Sequence, residues 1–163
     1  VNESGLIKKV EFLARTIWRE HYTPIVGVNQ VEYMLNTFQS PEVIIKQVKE
    51  GYRYFLLQGM NVDSLGYFAV IPKAECMFLS KIYLTKENRG MGLGTKMLHF
   101  IEKLAGAYKL PKITLTVNKH NYASIAFYEK HGFKNIESLV QDIGSGFAMD
   151  DYKMQKNLQN ILN

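Results

Sequence analysis

The chain has 163 residues, of which 47% are apolar and 12% aromatic. This composition excludes a disordered protein, and we expect one folded domain that covers residues 1–163. The net charge is +5, but the lysines are scattered singly, so we expect a solvated basic surface and no nucleic-acid partner. No apolar stretch approaches the roughly 20 residues of a bilayer span, no signal-peptide pattern is present and Cys76 is the single cysteine, so we expect a cytoplasmic protein without membrane contact.

The chain begins with a pattern that predicts helices. Apolar residues recur at helical spacing from Ser4 to about Tyr22, and the following Thr-Pro pair indicates the end of that helix. A second amphipathic segment follows, with Asn29 as its expected cap. Ser40 followed by Pro41 predicts the start of a third helix, because proline is preorganised for the first helical position.

Three segments rich in aromatic and branched residues then predict an antiparallel meander of strands. They are Tyr52–Leu57, Ser64–Val70 and Cys76–Leu84.

The second half of the chain alternates between strand and helix patterns. A glycine loop leads into a helix that reaches about Leu110, and the strand KITLTV follows. A strand, helix and strand of this length predict a parallel pair. A short helix then ends at Gly132, and two last strands, 133–143 and 147–157, turn at GSG. We therefore predict an α/β domain with a mixed sheet, in which antiparallel strands precede a parallel junction.

The glycine loop RGMGLG, which begins at Arg89, carries the main indication of function. A triphosphate loop needs Gly-Lys-Ser/Thr, whereas Gly94 is followed by Thr95 and then Lys96. The dinucleotide pattern Gly-x-Gly-x-x-Gly has a different spacing and follows the first strand of its sheet. What remains is an anion cradle in which backbone amides and a helix N-terminus face a ligand.

RGMGLG fits the Arg/Gln-x-x-Gly-x-Gly/Ala pattern of the GCN5-related N-acetyltransferases (GNAT), and the predicted element order resembles that family's fold. KIYL is similar to the family's bulged strand, and VNKHNYASIAFYEKHGF is similar to its following strand and helix. The family normally opens with a strand, whereas this chain passes from Val1 almost directly into a helix pattern. The resemblance implies an acetyl-CoA-dependent N-acetyltransferase, whose sheet opens around the coenzyme at the parallel junction and whose amine acceptor attacks the thioester directly in a ternary complex.

The resemblance also implies site residues. By this resemblance, the residues that bind the pyrophosphate of acetyl-CoA are Arg89, Gly90, Met91, Gly92, Leu93, Gly94 and Thr95. The other coenzyme-binding residues are Ile82, Tyr83, Leu84, Asn121, Ser124 and Tyr128. Among these, the amide of Leu84 stabilises the oxyanion and the phenol of Tyr128 protonates the departing thiolate.

The acceptor side is less defined by the sequence. Tyr33, Ser80 and Asn118 are candidate substrate-binding residues, and the strand residues expected to face inward, Phe78, Ser80 and Ile82, include no acid that could act as general base. Asp150 and Asp151 could attract a cationic amine, but solvent-facing charges are the favoured interpretation. No histidine or cysteine spacing indicates a metal. A homodimer is implied by resemblance only, and a coenzyme-binding or sensing module without turnover is the alternative function.

Overall fold

The computed structural model describes residues 4–61 and 64–158. The chain divides into two compact units. The first comprises the chain up to Ile71 together with Lys81–Met97, and the second comprises Pro72–Ser80 together with the chain from Leu98 onward. The single domain predicted for residues 1–163 stays a prediction.

Three helices precede the first strand. They are α1 (Ser4–Val26), α2 (Val28–Phe38) and α3 (Pro41–Lys49). The predicted start of α3 is confirmed, since Ser40 Oγ accepts a hydrogen bond from the amide of Val43 at 3.3 Å and Pro41 occupies the first turn. Residues 1–3, where the unusual opening of the chain was noted, lie outside the described residues.

The junction between α1 and α2 differs from the prediction. Helix α1 continues through Pro24 and ends at Val26, so the disruption that a proline causes is confined to the last turns of the helix. Gly27, with φ of 87°, is the cap of α2, and no side chain caps that helix. Asn29 is therefore inside α2, and its predicted role as cap is wrong.

The remaining elements follow the predicted order. They are β1 (Arg53–Gln58), β2 (Ser64–Pro72), β3 (Met77–Leu84), a 3₁₀ turn (Lys86–Asn88), α4 (Leu93–Ala107), β4 (Lys112–Asn118), α5 (Tyr122–Lys130), β5 (Lys134–Gly144) and β6 (Phe147–Asn157).

The six strands form one mixed sheet in the order β1-β2-β3-β4-β6-β5. The strands β1 and β2 are antiparallel, whereas β3 and β4 are parallel, with Met77 opposite Ile113 and Phe78 opposite Thr114. The predicted α/β class with a mixed sheet and a parallel pair is confirmed. Strand β6 lies between β4 and β5, so the second strand of the last hairpin pairs with β4 and the first strand, β5, lies at the edge of the sheet.

Each unit has its own apolar core. In the first unit, α1 contributes buried side chains at helical spacing, among them Val10, Ala14 and Ile17. In the second, Ile101 of α4 and Leu115 of β4 are fully or almost fully buried. None of the helices in the described ranges combines the length and the apolar character that crossing a bilayer requires.

Candidate active site

The glycine loop before α4 owes its glycines to backbone conformation. Gly90 and Gly92 have φ of 79° and 78°, a region that side chains with a β-carbon disfavour. A β-carbon built at either position would meet no atom within 4 Å, so packing does not require glycine there. Both residues are exposed. The loop therefore presents a left-handed backbone and open space to a ligand, which fits the pyrophosphate of a coenzyme.

The loop leads directly into the positive end of a helix. The amide of Lys96 donates to the carbonyl oxygen of Gly92 at 3.2 Å, which closes the first turn of α4. The amides of the first turn of a helix carry the partial positive charge of its N-terminus, and in α4 that turn begins at Leu93. This is the arrangement with which proteins bind phosphate groups.

The loop is tied to the end of β3. Arg89 donates from Nε to the carbonyl oxygen of Leu84 at 3.1 Å, and Asn88 donates from Nδ2 to Thr85 Oγ1 at 2.6 Å. The amide of Thr85 also donates to the carbonyl oxygen of Leu65 on β2 at 2.9 Å. These contacts hold Arg89 beside the strand end at which the resemblance expects the thioester, and they commit Nε of its guanidinium to the backbone.

An aromatic cluster surrounds Tyr83 on one face of β3. Its hydroxyl lies 3.0 Å from the hydroxyl of Tyr22 on α1, and its ring centroid lies 5.6 Å from Trp18 and 5.5 Å from Tyr67. The side chain of Tyr83 thus packs towards α1 and β2. The contact with the coenzyme that the resemblance implies for Tyr83 stays a prediction.

The buried face of β3 is opposite to the face that was predicted to point inward. Met77, Leu79 and Lys81 are buried, whereas Phe78, Ser80 and Ile82 are half-buried. Strand alternation is visible in the sequence, but which face the helices cover depends on tertiary packing.

Lys81 is a charged residue that the sequence interpretation missed. It is 7% exposed, and its Nζ donates to Gln47 Oε1 at 3.2 Å and to the Tyr54 hydroxyl at 3.1 Å. It also lies 5.3 Å from the centre of the Tyr54 ring and 5.8 Å from that of Tyr52. Burial lowers the pKa of Lys81 to about 8, because the charged form loses hydration.

The second unit holds the predicted residues of α5. Asn121 is the N-cap of that helix, and its Oδ1 accepts from the amide of Ser124 at 3.3 Å. Tyr128 is 8% exposed, and its ring packs against Phe127 and Phe133 with centroid separations of 5.6 Å. The roles of these residues in binding and catalysis stay predictions.

At the end of β4, Asn118 forms a local turn. Its Oδ1 accepts from the amide of His120 at 2.9 Å, and its carbonyl oxygen accepts from the amide of Asn121 at 3.0 Å. In the antiparallel register of β4 and β6, Asn118 lies opposite Asp151. This register places the polar end of β4 beside the carboxylate-bearing residue Asp151.

Asp151 differs from the prediction of a solvent-facing charge. Its side chain is 3% exposed, and its Oδ1 is buried without a hydrogen-bond partner among the described residues. Its neighbour Asp150 is half-exposed and forms an ion pair with Lys119, with Oδ1 2.6 Å from Nζ. Successive strand residues point to opposite faces, so the two carboxylates are separated, but only the tertiary structure shows that one of them is buried.

The remaining candidates are placed as follows. Tyr33 on α2 and Ser80 on β3 are half-buried, and Met91 in the loop is exposed. Cys76 is half-buried, with its Sγ 3.5 Å from Thr114 Oγ1. Within residues 4–61 and 64–158, no group of three or more His, Cys, Asp or Glu residues is arranged to hold a metal ion.

Comparison with known families gives the class of protein. The sequence model of the acetyltransferase (GNAT) family matches residues 17–133, which is more than half of the chain. The matched range includes the glycine loop, β3, β4 and α5. The chain belongs to the GNAT family, whose members are N-acetyltransferases that use acetyl-CoA as acyl donor, and the resemblance noted in the sequence is confirmed.

Individual relatives agree with this assignment. The chain is 28% identical over 120 residues to a probable spermine N(1)-acetyltransferase of Bacillus subtilis subsp. natto, which covers 67% of this chain and 76% of that protein. The fold of this chain is similar to that of the PaiA N-acetyltransferase from Thermoplasma acidophilum in complex with coenzyme A, with a TM-score of 0.79, 21% identity and 97% of each chain covered. It is also similar to that of spermidine N-acetyltransferase from Vibrio cholerae in complex with CoA and spermine, with a TM-score of 0.72, 18% identity, and 99% and 95% covered.

Proposed function

We propose that this chain transfers the acetyl group of acetyl-CoA to a primary amine by direct attack in a ternary complex. The observation that carries the proposal is the glycine loop before α4. Two exposed glycines with left-handed backbone precede a helix N-terminus, and Arg89 ties the loop to the end of β3. Such a loop suits the pyrophosphate of acetyl-CoA, which the family's reaction requires.

The proposed chemistry divides between the backbone and one side chain. The amine nitrogen attacks the thioester carbonyl, so that the new C–N bond forms while the C–S bond breaks. The amide of Leu84 stabilises the negative charge on the carbonyl oxygen, a contribution of about 3 kcal/mol for one well-placed donor. Tyr128 donates its phenolic proton to the departing sulfur, and the nitrogen releases its extra proton. An amine that arrives neutral needs no strong base, and we assign none.

The acceptor that we propose is a small aliphatic polyamine. Two Bacillus subtilis relatives carry the names of spermine or spermidine N(1)-acetyltransferases, and the similar Vibrio cholerae structure contains spermine. The polar candidates for the acceptor side are Tyr33, Ser80 and Asn118. A chain that uses cytosolic polyamines and acetyl-CoA also suits the cytoplasmic location expected from its composition.

A homodimer is part of the same proposal. Strand β5 lies at the edge of the sheet, and its side chains of Ile136 and Val140 are 49% and 72% exposed. An exposed edge strand with apolar residues favours pairing with a second chain. Sedimentation or light scattering of the purified protein tests this point independently of activity.

The test of the function has two stages. Calorimetric titration with acetyl-CoA, with ATP and NAD as controls, is expected to give micromolar binding for the coenzyme alone. Thiol release is then measured with spermidine, spermine, 1,4-diaminobutane and a peptide amine, and turnover with the aliphatic amines is expected. Binding of acetyl-CoA without turnover of any amine would favour the coenzyme-sensing alternative, and absence of coenzyme binding would reject both.

A further inference from the structure

The carboxyl group of Asp151 is buried in a way that is costly for the free protein. The side chain is 3% exposed, and Oδ1 has no hydrogen-bond partner within residues 4–61 and 64–158. A buried acceptor without a donor loses its hydration and gains nothing in exchange, so proteins retain few of them. Such an atom is stabilised when a ligand supplies the missing donor.

The neighbouring cation does not supply that donor. Lys119 follows β4 directly, and its ammonium forms the ion pair with Asp150 and lies 5.5 Å from the centre of the Tyr152 ring. Its backbone amide also donates to the carbonyl oxygen of Asp150 at 3.1 Å. The positive charge closest in sequence to the end of β4 is therefore paired with the other aspartate.

The remaining neighbours of Asp151 can be taken from the strand register. Asn118 lies opposite it on β4, and Leu139 lies opposite it on β5. On the same face of the sheet, the next charged residues are Lys153 on β6 and Glu137 on β5, which are opposite each other. Within residues 4–61 and 64–158, Asp151 forms no ion pair, and its Oδ1 has no hydrogen-bond donor.

The titration of Asp151 follows from this environment. The pKa of its carboxyl is raised to about 6, mainly by burial and secondly by the charge of Asp150, while the charge of Lys119 acts in the opposite direction. At neutral pH the carboxyl is therefore largely ionised but poorly solvated. An entering cation with N–H donors gains a strong partner at such a site.

We propose that Asp151 binds a non-reacting ammonium group of the acceptor, so that the enzyme prefers diamines and polyamines to monoamines. This inference rests on the proposed function. An alkylammonium group offers three N–H donors and one positive charge on a narrow carbon chain, which matches a single buried carboxylate. The reacting amine is a poor occupant, because an ion pair with a carboxylate stabilises the protonated form, and only the neutral amine attacks a thioester.

The experiment compares 1,4-diaminobutane with 1-aminobutane on the full chain. In the wild type, kcat/KM for the diamine is expected to exceed that for the monoamine at least tenfold. In Asp151→Asn this ratio is expected to fall to near one. Asp150→Asn is the matched control, because it removes the same charge one residue away, and it is expected to retain the wild-type ratio. A ratio of two rates within one protein does not depend on how much of a variant is folded.

A binding measurement separates this inference from the proposed function. Calorimetric titration of 1,4-diaminobutane in the presence of saturating coenzyme A is expected to show an affinity at least tenfold lower for Asp151→Asn than for Asp150→Asn. If amines are acetylated but the diamine preference survives in Asp151→Asn, the inference is wrong and the function stands. If no amine is acetylated but diamine binding depends on Asp151, the proposed function is wrong, and only the assignment of Asp151 to an ammonium group stands.

If Asp151→Asn does not fold, the inference can be tested on the wild type alone. The carboxyl ¹³C signal of Asp151 is followed by NMR as a function of pH, with and without 1,4-diaminobutane. A bound ammonium group is expected to lower the pKa of Asp151, and an unchanged titration curve at saturating diamine would overturn the proposal.

Discussion

Gly66 of β2 lies directly against the carbonyl group of Tyr83 on β3. A β-carbon added to Gly66 would overlap that carbonyl oxygen and would lie 3.2 Å from Cα of Leu84. The absence of a side chain at Gly66 therefore allows the two strands to approach closely at the residues assigned to the thioester end of the coenzyme.

Replacing Gly66 with alanine is expected to displace Tyr83 and Leu84, because the obstructing atoms belong to the backbone and cannot rotate away. Overpacking of this kind destabilises proteins by about 1–3 kcal/mol. Denaturant unfolding and calorimetry with acetyl-CoA measure the losses of stability and affinity. Gly59→Ala is the control, because its β-carbon would only contact the Leu65 side chain at 3.5 Å. Equal coenzyme affinity in both variants would contradict the assignment of the strand end to the coenzyme.

Replacing Gly92 with alanine tests the loop. The residue has φ of 78°, so alanine there costs about 1 kcal/mol of backbone strain, while its β-carbon meets no protein atom. We expect at least a tenfold loss of acetyl-CoA affinity, because the new methyl group occupies space in the loop that we propose to bind the pyrophosphate. Gly146→Ala is a matched control, since Gly146 also has φ of 78° with open space, but it lies in the β5–β6 turn. The same affinity in both variants would assign the loop a purely structural role.

Replacing Tyr128 with phenylalanine tests the acid. The ring contacts with Phe127 and Phe133 remain, so stability and coenzyme binding are expected to change little. Loss of the phenolic proton is expected to reduce kcat by about 10²-fold. Thiol-release kinetics measure the change, with Tyr122→Phe on the same helix as control, because Tyr122 is 71% exposed. A Tyr128→Phe variant with full activity would remove Tyr128 from the mechanism.

The pKa of Asp151 predicts a pH-dependent cost to stability. Burial raises this pKa from 3.8 to about 6, so the folded protein binds the proton more tightly than the unfolded chain. The free energy of unfolding of the wild type is therefore expected to fall, relative to that of Asp151→Asn, as pH rises from 4 to 7. The full difference is about 3 kcal/mol at most. Denaturant unfolding at several pH values measures it. Asp150→Asn keeps the buried Asp151 and is expected to show most of the same fall, because burial is the main cause of the raised pKa.

Lys81 predicts the opposite trend at higher pH. Burial lowers its pKa from 10.5 to about 8, so the unfolded chain holds the proton more tightly than the folded protein. The cost of burying the charge is fully present below pH 8 and is relieved as pH rises towards 10.5. Relative to Lys81→Met, the wild type is thus expected to gain up to about 3 kcal/mol between pH 7 and pH 10.5. Parallel stability curves for the two proteins would show that Lys81 keeps its ordinary pKa.

Local signals in the sequence were sufficient for most elements and for part of the site. Ser40 with Pro41 and Gly132 marked helix ends, and the glycines of RGMGLG marked a loop whose positive φ angles the structure contains. These features depend on the chemistry of a few adjacent residues. The same locality explains the error at the α1–α2 junction, where Pro24 and Asn29 carry helix-ending and capping signals that the α1–α2 packing overrides.

The sequence by itself determined the family, the order of the elements and the position of the glycine loop, because each depends on motifs of adjacent residues. Only the tertiary structure decided that β6 lies between β4 and β5, and that Lys81 and Asp151 are buried. Strand alternation divides residues between two faces, but it does not say which strand of a hairpin pairs inward or which face is covered. Those choices depend on contacts between residues far apart in the chain, and they decide that the charged groups of Lys81 and Asp151 are buried.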